Sequence, residues 1–226
     1  CIRDRGPPHP QVDQPGTRKF AAALSEAAGV TVALVEYPGF WDDGRGTKKT
    51  INGMYETCLA AAEEISKRHG PLHVVGYSIG TAPAARVAAK LPRAVRSLTL
   101  VAPMVSALRM FEDVVGPQLG PAARPLVRLV SSFSRPIDTL CVRRDASATK
   151  GLRVLIVHGS DDEVIPLEHG REVFDAYRKN NLVIVGGKRD GTEKDDLVMV
   201  AGANHEKVVD AEECVAAIKG HIRSCD

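Results

Sequence analysis

Residues 72–90 read Leu-His-Val-Val-Gly-Tyr-Ser-Ile-Gly-Thr-Ala-Pro-Ala-Ala-Arg-Val-Ala-Ala-Lys, and no other stretch constrains the fold as much. An apolar run (Leu72, Val74, Val75) stops at Gly76-Tyr77-Ser78-Ile79-Gly80, and an alanine-rich helical stretch follows at once. The order is strand, sharp turn, helix, with a serine at the apex. Glycines on both sides suit a turn with no room for a β-carbon. Such a turn holds Ser78 in a strained conformation and pushes its hydroxyl clear of the sheet. A chance Gly-x-Ser-x-Gly in an ordinary loop would lack that flanking strand and helix. Pro83 falls near the start of the helix, where a missing N–H costs little.

The rest of the chain reads as a frame for this turn. At 226 residues, 44% hydrophobic and 26% charged, it has the composition of one globular domain with a sizeable core. A net charge of +2 offers no basis for nucleic-acid binding or a basic membrane-binding face. No apolar stretch reaches bilayer-spanning length and no signal-like segment is present, so a cytoplasmic location is expected. The chain begins at Cys1 rather than Met, and upstream sequence is expected to lie outside it. Five scattered cysteines (Cys1, Cys58, Cys141, Cys214, Cys225) without a Cys-x-x-Cys pair point to free thiols, not to zinc or a disulfide framework. Cys58 and Cys214 fall among apolar helical positions and read as small buried hydrophobes.

Residues 1–16 carry four prolines and read as an irregular arm. A helix is expected over 17–28, ended by Gly29, and then a doubly buried strand over Val30 to Glu36. That strand stops at Tyr37-Pro38-Gly39-Phe40-Trp41. Residues 48–69 place Ile51, Met54, Tyr55, Cys58, Leu59, Ala62 and Ile65 at helical spacing, closed by Gly70-Pro71. Strand-like runs recur at 95–101, 152–158, 182–185 and 197–200, and helices at 168–179 and 206–223. Between 104 and 150 the pattern weakens into two or three short helices, a small cap. Its charges, among them Arg109, Asp113 and Asp145, read as solvated helix faces. Alternating strands and helices imply a single α/β domain, a mainly parallel sheet with helices on both faces.

In such a sheet, function gathers at the carboxyl ends of the strands. The strand 152–158 runs into His158-Gly159-Ser160-Asp161-Asp162-Glu163. An acid just past a strand end can accept a hydrogen bond from an imidazole, or it can simply cap the next helix. The strand 197–200 runs into Ala201-Gly202-Ala203-Asn204-His205. Ser78, an acid near position 162 and His205 thus follow one another in the order serine, acid, histidine, each at a strand's carboxyl end. Dinucleotide or phosphate binding is unsupported, because the serine turn has no third glycine and no following lysine–threonine pair. No helix carries histidines or acids at ligand spacing, so neither a metal nor another cofactor is expected.

These stretches resemble the α/β-hydrolases, in particular the branch of depalmitoylase-like serine hydrolases that includes proteins classed as clan SC serine peptidases. The likeness covers residues 17–226. It rests on Tyr37-Pro-Gly-Phe, Gly76-Tyr-Ser-Ile-Gly-Thr-Ala-Pro83, His158-Gly-Ser-Asp-Asp-Glu-Val-Ile165 and Gly202-Ala-Asn-His205. The resemblance implies an α/β-hydrolase fold and a triad of Ser78, Asp162 and His205. It makes Asp162, rather than Asp161, the acid and gives His158 a structural role.

The resemblance also implies that Ser78 attacks an ester or acyl-thioester carbonyl and that the backbone N–H of Ile79 helps hold the oxyanion. The second oxyanion donor normally follows a His-Gly pair at the end of an early strand. Here the counterpart is His9-Pro10-Gln11, in which proline has no N–H and Gln11 is the candidate donor. The residues before His9 make a poor strand, so the first strands of the sheet are expected upstream or lost. A fold retained for binding with impaired catalysis is the rival expectation. Phe40, Trp41 and Met104 are candidates to line a pocket for a small or acylated substrate, and ordinary packing is their alternative role.

Overall fold

The computed structural model describes residues 15–38, 50–118, 140–149, 151–179 and 197–225. Along them run α1 (Pro15–Ala28), α2 (Ile51–His69), β1 (Leu72–Tyr77), α3 (Thr81–Lys90), β2 (Val95–Val101) and α4 (Ala107–Gln118). They are followed by α5 (Val142–Ala148), β3 (Arg153–Gly159), α6 (Leu167–Arg178), β4 (Val198–Val200) and α7 (Glu212–Cys225). The strands form one sheet in the order β1-β2-β3-β4, and every pairing is parallel.

Both sheet faces are covered, so the β3 run lacks polar alternation and β2 buries Ser97 and Thr99 along with Leu98 and Leu100. Leu98 pairs with Val154 and Leu100 with Ile156, and all four side chains point into the layer built by α2, α3, α5 and α6. The intervening Leu155 and Val157 point the other way, with Val101, into the layer built by α1 and α7. Phe20, Leu24, Cys214, Ile218 and Ile222 close that second face. Helix α2 starts where Thr50 accepts the N–H of Gly53 at 2.9 Å, and its last turn carries Lys67, Arg68 and His69 against the carbonyl end of the helix.

Three expectations need correction. Residues 30–36 form no strand: Val30 and Val32 pack on the α1/α7 layer, but their neighbours alternate with solvent. A β-branched run becomes a strand only where a neighbouring strand completes its ladder. Among the described residues, the outer edge of β1 has no such partner. The closing helix begins at Glu212, not at 206, because Lys207–Val209 is a separate 3-10 turn that buries Val208 and Val209. Asp145 is no solvated charge: it is 5% exposed, and its Oδ1 accepts from Arg86 Nε at 2.7 Å. That arginine also lies over the Tyr55 ring, 4.3 Å from its centroid, so the pair ties α5 to α3 and α2. The carboxyl end of the segment read as a cap therefore belongs to the main helical layer. The expected strand 182–185 and the middle of the cap lie outside the described residues.

Cys214 is a buried hydrophobe and Cys58 is half-buried against the core, with burial pushing their thiols up to about 12 and about 11. Among the described residues, His158, His169 and His221 are buried as well. Burial lowers the pKa of each, that of His221 to about 4 despite partial support from backbone groups of Leu98 and Arg153. An unfolded histidine takes up its proton near 6.5, so below that pH the unfolded chain binds more protons than the native one. Stability is therefore expected to fall as pH drops from 6.5 toward 4, with His221 alone contributing on the order of 3 kcal/mol. Urea midpoints at pH 7 and 4.5 measure the fall. A His221→Leu variant with an equally steep loss would disprove the share given to His221.

Candidate active site

The amino end of the site is the turn from β1 into α3. Ser78 has φ 53, a left-handed conformation that few non-glycine residues hold. A β-carbon on Gly76 would lie 2.6 Å from the carbonyl oxygen of Gly80 and 2.7 Å from the β-carbon of Ala84. Glycine there lets the helix close directly over the strand end, and Ser78 is left at the crest. The Thr81 hydroxyl donates to the Ser78 carbonyl at 2.6 Å and locks the turn from behind.

The acid and the histidine come from the ends of β3 and β4. The Asp162 carboxylate is fully buried and divides its two oxygens between two tasks. Oδ1 accepts the backbone N–H groups of Val164 at 3.0 Å and Ile165 at 2.8 Å. Oδ2 lies 2.7 Å from Nδ1 of His205. The turn-capping reading and the histidine-orienting reading of this acid are thus both satisfied by one side chain. Asp161, by contrast, accepts from the Ser160 hydroxyl at 2.6 Å.

Nε2 of His205 lies 2.9 Å from Ser78 Oγ, so serine, imidazole and carboxylate form one continuous hydrogen-bonded line. The tautomer that satisfies both contacts carries its proton on Nδ1, donates it to Asp162 and accepts the serine proton at Nε2. Burial pushes the Asp162 carboxyl up. The hydrogen bonds from His205 and Ile165 outweigh it and hold the group below its usual value of 3.8. It is therefore ionised at neutral pH.

The two loops that carry these residues are fastened to each other. The N–H of Gly202 donates to Ser160 Oγ at 2.8 Å, and the N–H of Asp161 to the carbonyl of Ala203 at 3.0 Å. Gly159 passes so close to the carbonyl of Ala203 that a β-carbon would collide with it. His158 is fully buried, and its Nε2 donates to the carbonyl of Ile165 at 2.8 Å. That bond braces the acid turn from below, 3.6 Å from Asp162 Oδ2.

Ile79 follows Ser78 in a 3-10 turn and is 40% exposed, with its N–H at the amino end of the helical segment. Met104 is buried in the turn leaving β2. Gln11, Phe40 and Trp41 lie outside the described residues. Sequence reasoning missed two arrangements. Tyr77 stacks against His205, with ring centroids 5.3 Å apart. His169 takes the N–H of Val105 at Nδ1 and donates from Nε2 to Asp113, which also pairs with Arg109. Neither has a local signal, since both link residues far apart in the chain.

A parallel sheet wrapped by helices, with a serine elbow between its first strand and helix, is the α/β-hydrolase fold. The chain has that fold. The family model for the alpha/beta hydrolase fold matches residues 15–120, a span that includes Ser78 and ends before Asp162 and His205. Among curated proteins the chain is similar to alpha/beta hydrolase domain-containing protein 17B of Xenopus laevis, 28% identical over 173 residues. That alignment covers 74% of this chain and 52% of the relative, so the chain spans about half the length of the curated relatives it matches. Among solved structures it resembles a meta-cleavage product hydrolase from Pseudomonas fluorescens, with a TM-score of 0.59 and 13% identity over 92% of this chain and 86% of that one. It also resembles NosK from Streptomyces actuosus, with a TM-score of 0.54 and 20% identity over 91% and 92%. At those identities the likeness to solved structures is one of fold.

Among the described residues, no helix is long and apolar enough to cross a membrane.

Proposed function

We propose that this chain is a serine hydrolase that cleaves small esters or acyl-thioesters through an acyl-enzyme. The observation that carries the reading is the unbroken line from Ser78 Oγ through His205 to Asp162, at 2.9 and 2.7 Å. His205 Nε2 accepts the serine proton as Oγ attacks the carbonyl carbon, and the carbonyl π pair moves onto oxygen. When the tetrahedral adduct collapses, the same nitrogen returns its proton to the departing alkoxide or thiolate. Water, deprotonated in turn by His205, attacks the acyl-serine and releases the acid. Asp162 holds the ring in the required tautomer and stabilises its charged form.

The developing oxyanion is held by the N–H of Ile79 and, in this reading, by that of Gln11. Phe40, Trp41 and Met104 are assigned to the acyl group. Thioester substrates rank first through the likeness to depalmitoylase-like hydrolases, carboxylic esters second and peptides third. No cofactor is required, and the reaction can proceed in the cytoplasm.

Pro10 supports a second reading, in which the fold serves binding and catalysis is impaired. Loss of one oxyanion donor typically costs a hundred- to thousandfold in turnover, so even an impaired site would react slowly. Labelling by a fluorophosphonate probe separates the two readings. The hydrolase is expected to be labelled stoichiometrically, and a well-folded chain that stays unlabelled leaves only the binding protein. A panel of p-nitrophenyl esters of rising chain length, run beside an acyl-thioester, then ranks the substrates. Faster release from the thioester is the expected result.

A further inference from the structure

Tyr77, the residue before the serine, makes two contacts with the candidate base. Its ring stacks on the His205 imidazole, with centroids 5.3 Å apart and planes inclined by 29°. Its hydroxyl donates to the backbone carbonyl of His205 at 2.8 Å. Burial, aided by the negative charge of Asp162, pushes that hydroxyl up to about 12, so it stays protonated and remains a donor at any working pH.

The other fastenings of this loop act on either side of the histidine. Gly202 and Ala203 are bonded to the acid loop, and Asn204 accepts the N–H groups of Lys207 at 3.0 Å and Val208 at 3.1 Å. Of these fastenings among the described residues, the one made to His205's own main chain is the bond from Tyr77. Because Tyr77 and Ser78 are neighbours at one strand end, a displacement of that end carries nucleophile and base together.

We infer that Tyr77 is a positioning residue that fixes His205 against Ser78, clamping its carbonyl with the hydroxyl and its ring with the phenol face. The kinetic consequence rests on the hydrolase reading above, and the geometric one does not. Hydrogen-bond lengths to the reacting serine tolerate little error, since a shift of about 1 Å can cost about a hundredfold.

Two variants separate the parts of the clamp. Tyr77→Phe keeps the stack and loses the bond, and Tyr77→Leu loses both. With p-nitrophenyl acetate, kcat is expected to fall about fivefold in the first, the worth of one neutral hydrogen bond, and about a hundredfold in the second, with KM unchanged in both. The low-field proton resonance of His205 Nδ1–H is expected to persist in Tyr77→Phe and to broaden into exchange with water in Tyr77→Leu. Parent-like kcat in both variants, or a raised KM with kcat kept, overturns the positioning role. A sharp, unshifted Nδ1–H resonance in Tyr77→Leu overturns it as well, and this readout needs no turnover. If the parent neither hydrolyses the ester nor labels, the hydrolase reading fails while the resonance still decides the clamp. Tyr77→Phe preserves the ring packing, so a folded comparison exists even if the leucine variant unfolds.

Discussion

Ser78→Ala is expected to abolish fluorophosphonate labelling and to lower ester turnover by roughly four to six orders of magnitude. The loss is total for the probe because the phosphonate bonds to Oγ, the atom removed. It is incomplete for the ester because oxyanion donors and binding still accelerate attack by water. The fold is expected to survive. Alanine bears the same strain at φ 53 as serine does, and the turn is held by the Thr81 hydroxyl and by the close approach that Gly76 permits, neither of which involves Oγ. Thermal unfolding of the variant should therefore match that of the parent within about 1 kcal/mol. Undiminished labelling of Ser78→Ala would move the nucleophile elsewhere in the chain.

Asp162→Asn should slow turnover by about ten-thousandfold, the scale seen when a triad aspartate is made neutral. The geometry makes the variant unusually clean. Asparagine can keep its oxygen on the N–H groups of Val164 and Ile165, so the turn stays capped. Its amide nitrogen then faces His205 Nδ1 in place of the carboxylate oxygen. A donor at that place forces the imidazole proton onto Nε2, where it points at Ser78 and cannot accept from it. Asp161→Asn is the control: its carboxylate serves only the Ser160 hydroxyl among the contacts described, and turnover should stay within a factor of a few. If Asp161→Asn proves the slow one and Asp162→Asn the fast one, the acid has been assigned one residue too late.

The pH dependence of stability has a second, lower window from the same acid. Asp162 contributes stability above its unfolded value of 3.8, and that contribution is lost as pH falls through its lower native value. Below pH 4 it adds to the loss already expected from the buried histidines.

The parts of this protein written in its sequence are those that short-range physics decides. The unalternated apolar run 154–157 became β3 because a parallel sheet buries both faces, and Gly76-Tyr77-Ser78-Ile79-Gly80 became an elbow because no β-carbon fits at Gly76, where α3 crosses β1. The order of serine, acid and histidine was readable for the same reason: each follows a run of strand character.

Val30 to Glu36 has that character too and forms no strand, since a ladder depends on a partner that local pattern does not supply. Asp145 looked like a surface charge until Arg86, 59 residues away, was brought beside it. Which of two adjacent aspartates reaches His205, and that Tyr77 grips the histidine's carbonyl 128 residues further on, depend on how two loops and a strand end meet. Spacing along the chain carries the period of a helix or a strand. It carries no information about distances between strand ends, and those are set only when the whole sheet packs.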